Sequence, residues 1–189
     1  MSNKKIVVFL GTHCSWKSSY ARSLVWYKNE WQEQIDYRWY KITVGEDRFA
    51  MGHYHNACGG VDWFWAISKS KQAFTDLACE RQESLMIVEW VLLVTEPVFQ
   101  ALDRARIKSG RDVYIVFLDV SPQVSMERLY WRNGWKPVWP GIINKWTYFR
   151  KRIMELWAKF KQFKQLYINT DWKTVEDWLK QVKDFISTN

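Results

Sequence analysis

Two runs in this sequence, Ile6-Val7-Val8-Phe9-Leu10 and Val113-Tyr114-Ile115-Val116-Phe117-Leu118, are apolar at every position. A strand with one wet face alternates apolar and polar residues. A run with no polar side is buried on both faces, as parallel strands covered by helices are. Further β-like runs lie at 39–44, at 85–94 (the strand itself ending near Glu89) and at Gln165–Asn169. Between them are helix-length stretches at about 17–29, 63–81, 95–109, 122–133, 143–163 and 173–187. Ser121-Pro122 places a cap residue before a proline at the first helical position, and Thr174 with Asp177 approximates a capping box. Strands alternating with helices predict one α/β domain over 1–189, with five parallel strands and helices on both faces. Ligands of such sheets bind at the carboxyl ends of the strands.

The first strand runs into Gly11-Thr12-His13-Cys14-Ser15-Trp16-Lys17-Ser18. A phosphate-cradling loop reads Gly, four residues, then Gly-Lys-Ser/Thr, between a strand and a helix. Gly11, Lys17 and Ser18 fall on register. In that reading the backbone N–H groups of residues 11–19, Ser19 included, face a polyphosphate at a helix N-terminus, where the helix dipole also favours anions. Lys17 would bridge the outer phosphates of ATP, and the Ser18 hydroxyl would ligate Mg²⁺. Trp16 stands where the second glycine belongs, a position that favours backbone conformations costly for any residue with a Cβ. The alternative is an ordinary strand-turn-helix that binds no nucleotide.

Composition narrows the class. The chain is 48% hydrophobic and 25% charged, enough to build a core, and no apolar stretch is long enough to span a bilayer. The N-terminal residues lack the apolar segment of a secretory signal, and three widely spaced cysteines (14, 58, 79) suit a reducing cytoplasm. Net charge is +8. Residues 131–165 carry Arg132, Lys136, Lys145, Arg150, Lys151, Arg152, Lys159, Lys161 and Lys164 against the single acid Glu155. So concentrated a field implies a polyanionic partner, either nucleotide phosphates or nucleic acid, unless it is simply the solvated face of a helix.

The phosphate loop, the Val116-Phe117-Leu118-Asp119-Val120-Ser121-Pro122 stretch followed by Glu127-Arg128-Leu129, and the ending Tyr167-Ile168-Asn169-Thr170-Asp171 together resemble the P-loop nucleoside and nucleotide kinases of the thymidylate-kinase-like group, in particular small phage-type members. The resemblance covers most of the chain. It implies a P-loop NTPase three-layer sandwich with a lid at about 128–150, ATP and Mg²⁺ as cofactors, and a cytoplasmic, phage-encoded setting. It also allows a homodimer. By the same resemblance Glu89, ending Met86-Ile87-Val88-Glu89, is a base or Mg²⁺-shell carboxylate. Arg128 and Arg132 lie where such kinases place arginines over the transferring phosphates, and the loop after Asn169 touches the adenine. The Gly-rich stretch 44–62 is similar to one in the phage-type proteins and reads as the acceptor pocket, with Asp47, Arg48, Tyr54 and Asp62 as contacts. His53, His55 and Cys58 invite a zinc reading, but no second ligand pair accompanies them.

Fourteen tryptophans accompany only eight glycines. Trp16 and Trp90 stand where the resemblance expects glycine, and Trp135 and Trp139 lie in a turn-like segment. A single cause fits: UGA codons read as glycine in the source but translated as tryptophan. The expected function is ATP·Mg-dependent phosphotransfer to a small acceptor, a (deoxy)nucleoside or its monophosphate. One alternative is a nucleic-acid-directed, polynucleotide-kinase-like protein using the basic aromatic segment 131–165. Another is a non-catalytic scaffold disabled by a genuine Trp16.

Overall fold

The computed structural model describes residues 4–12, 14–25, 33–37, 40–52, 54, 67–89, 94–136, 141–171 and 174–188. The two fully apolar runs are neighbouring parallel strands at the heart of the sheet. β1 (Lys5–Gly11) pairs with β6 (Asp112–Asp119) from Lys5 opposite Asp112 to Gly11 opposite Leu118. On the other side of β1 lies β5 (Leu85–Glu89), also parallel, with Phe9 opposite Glu89. Beyond β6 lies β7 (Lys164–Asn169).

Among the described residues the sheet has seven strands where five were expected. Numbered in chain order, β2 (Glu33–Tyr37), β3 (Tyr40–Val44) and β4 (Arg48–Met51) complete the order β2-β3-β4-β5-β1-β6-β7. Five strands, β4, β5, β1, β6 and β7, are mutually parallel; β3 runs antiparallel to both β2 and β4. The run expected to be the second parallel strand is therefore β3. On its side away from β1, β5 has β4 as its parallel neighbour, inside the stretch read as acceptor loop. Gly45 donates to the Arg48 carbonyl at 2.7 Å and closes the hairpin between β3 and β4. Four residues are too few to display a period, which hides β4 in the sequence, yet Phe49, Ala50 and Met51 are fully buried.

Side chains alternate across β1 and so divide the core. Ile6, Val8 and Leu10 face one layer, built with α2 (Ile67–Glu80), α3 (Glu96–Ser109) and α5 (Ile142–Lys159). Val7 and Phe9 face the other, built with α1 (Lys17–Val25) and α6 (Val175–Thr188). Each such side chain taken from water contributes about 1.5–3 kcal/mol, which makes these layers the main support of the sheet. On α6 the inward stripe is Trp178 and Val182, one helical turn apart and buried. The helix starts as its sequence predicts: Thr174 N–H donates to Asp177 Oδ2 at 3.1 Å and Asp177 N–H to Thr174 Oγ1 at 3.4 Å. α4 (Pro122–Arg132) begins at the expected cap, Val124 N–H donating to Ser121 Oγ at 3.3 Å. α5 stops at Lys159, short of the expected residue 163, because Phe160 and Phe163 turn into the core and stack with ring centroids 5.7 Å apart.

No helix among the described residues is long and apolar enough to cross a membrane.

Candidate functional site

β1, β5, β6 and β7 all end at the same edge of the sheet, and the loop after β1 opens there. Gly11 is demanded by space. A Cβ on it would lie 2.3 Å from Ser15 Oγ and 2.6 Å from the Leu118 carbonyl, so no other residue fits between loop and β6. Beyond it the chain curls tightly. Cys14 (φ 56°) and Trp16 (φ 65°) are both left-handed, and the Trp16 carbonyl then accepts from Tyr20 N–H at 3.0 Å as α1 starts. The expected left-handed geometry at position 16 is thus present.

Lys17 is buried and its ammonium folds back over the loop, donating to the Thr12 carbonyl at 2.7 Å and to Ser15 Oγ at 3.2 Å. Thr12 Oγ1 is buried with no hydrogen-bond partner among the described residues. An unsatisfied buried hydroxyl costs roughly 1–3 kcal/mol, and at this position it can donate to a bound anion. Ser18 Oγ donates to Glu89 Oε1 at 2.7 Å, and Glu89 is itself 3% exposed. A hydroxyl and a carboxylate brought together are hard oxygen donors of the kind Mg²⁺ takes, one or two from protein and the rest from water and phosphate.

Arg128 is placed differently from the expectation that it reaches the transferring phosphates. From α4 its guanidinium donates to the Cys14 carbonyl at 3.1 Å, to the Thr170 carbonyl and to the Asp171 carbonyl at 3.1 Å. Its carbon lies 5.4 Å from the centre of the Trp16 ring. It therefore braces the loop after β1 against the loop after β7. Burial pushes this guanidinium below its ordinary value, with Asp171 acting the other way. Arg132, at the end of α4, is exposed.

Asp47 and Arg48 lie at the opposite edge. Arg48 is level with Leu85 at the start of β5, four residues before Glu89, and donates to the Leu24 carbonyl at the far end of α1 at 2.8 Å. Asp47 Oδ1 accepts from Ser84 N–H at 2.9 Å. The acceptor roles expected for this pair do not match that position, because β4 carries the chain the length of the sheet before it reaches the site edge. Tyr54, just past the end of β4, is 1% exposed and packed with the core layer of α1 and α6, so its ring offers no open face for stacking. His13, Asp62 and Trp90 lie outside the described residues, as do His53, His55 and Cys58; among the described residues no metal-binding group of three or more His, Cys, Asp or Glu occurs.

A cluster that sequence reading missed lies beside the loop. Asp119 ends β6 and is nearly buried. It accepts from Arg150 Nε at 3.1 and 3.2 Å, from Arg150 Nη2 at 3.0 Å and from Tyr167 Oη at 2.7 Å. These bonds hold the Arg150 guanidinium above its ordinary value, while burial and the neighbouring carboxylate raise the Tyr167 hydroxyl. Trp146 donates its indole N–H to the Val120 carbonyl at 2.9 Å. Together they fasten the basic helix α5 to the site edge. An acid closing an otherwise apolar strand run was the available signal.

Strand order and layers define an α/β fold in which a mostly parallel sheet lies between two helical layers, with a tight turn joining the first strand to the first helix. The sequence matches no protein-family model and no curated protein sequence. Among solved structures, the chain is similar to the Mycobacterium tuberculosis APS kinase CysC, determined in complex with AMPPNP and APS. Identity is 13%, with 99% of each chain covered and a TM-score of 0.51. A second similar structure, APE1195, shares 11% identity over 100% of this chain and 97% of its own, also with a TM-score of 0.51. These likenesses establish the fold.

Proposed function

We propose that this protein is an ATP·Mg-dependent phosphotransferase acting on a small acceptor, a (deoxy)nucleoside or nucleoside monophosphate. The observation that carries the reading is the joint placement of Lys17, Ser18 and Glu89 at one strand edge, with Ser18 and Glu89 in direct contact. The similar APS kinase binds AMPPNP, which fits an ATP site here.

In this reading the loop after Gly11 holds the polyphosphate through its N–H groups, and Lys17 leaves the Thr12 carbonyl to neutralise the outer phosphates. Mg²⁺, held by Ser18 and Glu89, would supply charge neutralisation on the phosphoryl oxygens. Glu89 orients an attacking hydroxyl when the acceptor is a nucleoside. Arg128 keeps the phosphate loop and the loop after β7 in register, and Arg132 with the basic residues of α5 adds positive field above the edge.

The test is a Mg-ATP titration by calorimetry on the chain as written and on Trp16→Gly. Binding by either form supports the reading, and binding by the glycine form alone identifies the indole as the obstacle. No binding by either overturns it. Lys17→Ala should then cost at least about 100-fold in turnover.

A second reading is favoured by the exposed aromatics around the basic segment: Trp131, Trp135 and Tyr148, with the two indoles 5.1 Å apart. Such a surface would stack single-stranded nucleic acid on a basic track. Steeply salt-dependent binding of oligonucleotides would support it.

A further inference from the structure

Three non-glycine residues among those described have a left-handed backbone: Cys14, Trp16 and Trp135. Two are tryptophans: Trp16 stands where the loop motif has glycine, and Trp135 lies in the turn-like segment after Asn133 and Gly134. For a bulky side chain this conformation is a genuine outlier. Cys14 shows that the loop can impose it on a compact residue, but an indole has no such latitude.

The two sites share a backbone logic. Trp16 is the last residue before α1, in the tightest part of the loop that closes over Lys17. Trp135 follows Asn133 and Gly134 at the end of α4. Gly134 (φ 63°) and Trp135 (φ 63°) are consecutive left-handed residues, Trp135 N–H donating to the Tyr130 carbonyl at 2.8 Å. Two left-handed residues in succession are a pattern that glycine pairs supply without strain. Neither side chain is buried in return: Trp16 is 44% and Trp135 65% exposed.

Of the four other described tryptophans, Trp131 is exposed on α4 but has helical backbone, and the remaining three also have their side chains engaged. Trp146 hydrogen-bonds Val120 from within α5, Trp157 packs against the core from the same helix, and Trp178 is buried on α6. Each of these three lies within a helix and is hydrogen-bonded or packed against the core.

We infer that positions 16 and 135 are glycine in the protein as its own cell makes it, their codons being UGA read there as glycine, while 146, 157 and 178 are true tryptophans. The native loop is then Gly11-x4-Gly-Lys17-Ser18 with its pattern complete, and the face of Arg128 now covered by the Trp16 ring is open to the site. That last consequence rests on the phosphotransfer reading; the identity of the two residues does not.

Peptide mass analysis of the protein isolated from its own source decides the matter. Glycine mass at 16 and 135, with tryptophan mass at 146, 157 and 178, is the expected result. Tryptophan at either 16 or 135, or UGG in either codon, overturns the inference. A second measurement uses recombinant protein: urea unfolding of Trp16→Gly and Trp135→Gly, each with a higher midpoint than the chain as written, and of Trp178→Gly with a lower one. A fall for either of the first two, or an equal rise for Trp178→Gly, overturns the claim that these backbones ask for glycine. Nucleotide titration reads the phosphotransfer proposal separately, so the two can fail independently.

Discussion

Two arginines do the same work at opposite edges of the sheet, and their surroundings differ. Arg111, at the amino edge, is fully buried and donates to the carbonyls of Ala78, Arg81 and Glu83 at 2.8, 2.7 and 2.8 Å. Arg128, at the carboxyl edge, likewise binds three loop carbonyls but is only half-buried. Beside Arg111 the left-handed residue is Gly110, which adopts φ 69° without strain, and the three acceptors lie at the end of α2 and in the turn leading to β5. Around Arg128 two residues are left-handed and the Thr12 hydroxyl has no partner among the described residues. A joint that only holds elements together is satisfied throughout. The joint at the carboxyl edge keeps left-handed backbone and one unmet hydroxyl.

The largest expected effect lies at the satisfied joint. Arg111→Ala should lose at least about 3 kcal/mol of stability in urea unfolding, since it strands three buried carbonyls. Arg128→Ala should lose about 1–2 kcal/mol, because water can reach part of what it leaves. Equal losses at the two sites would break the comparison. A double-mutant cycle over Trp16→Gly and Arg128→Ala should give a coupling of about 0.5–1 kcal/mol, the size of an exposed cation–π contact.

The smallest effect concerns Asp47, beside the Arg111 joint. Hydrogen bonding by Ser84, from its side chain first and its N–H second, holds this carboxyl below its ordinary value. A carboxylate depressed in the folded state contributes stability that is present above its unfolded value and lost as pH falls through its folded one. Asp47→Asn should therefore flatten the acid limb of the stability profile by less than about 1 kcal/mol, the group being exposed. A neutral-pH loss that does not change with acidification would contradict this origin.

Much of the scaffold was legible because burial on both faces leaves an unbroken apolar record. β1 and β6 are such records, and Gly11, Lys17 and Ser18 sit where the motif put them. The hairpin of β3 and β4 was not legible. A four-residue strand has no period, and the glycine that turns the chain back looks like any loop glycine. Missing β4 moved Asp47 and Arg48 to the wrong edge. Arg128 was visible as a charge near the site, but its partners are backbone carbonyls from two distant loops, which no residue pattern announces. The bond between Asp119 and Arg150 escaped for the same reason: a strand end and a mid-helix position become neighbours only once the sheet exists.

The place of β1 in the sheet has a consequence for synthesis. The most apolar strand leaves the ribosome before the two strands that flank it, and β6 emerges last of the three. Until then Ile6 to Leu10 is an unpaired, sticky ribbon in a growing chain, the kind of segment that aggregates or engages chaperones. Contacts this distant in sequence also slow folding itself. The nascent chain thus gains from protection until β6 has emerged, and production of the protein in quantity should improve when synthesis is slow and cool.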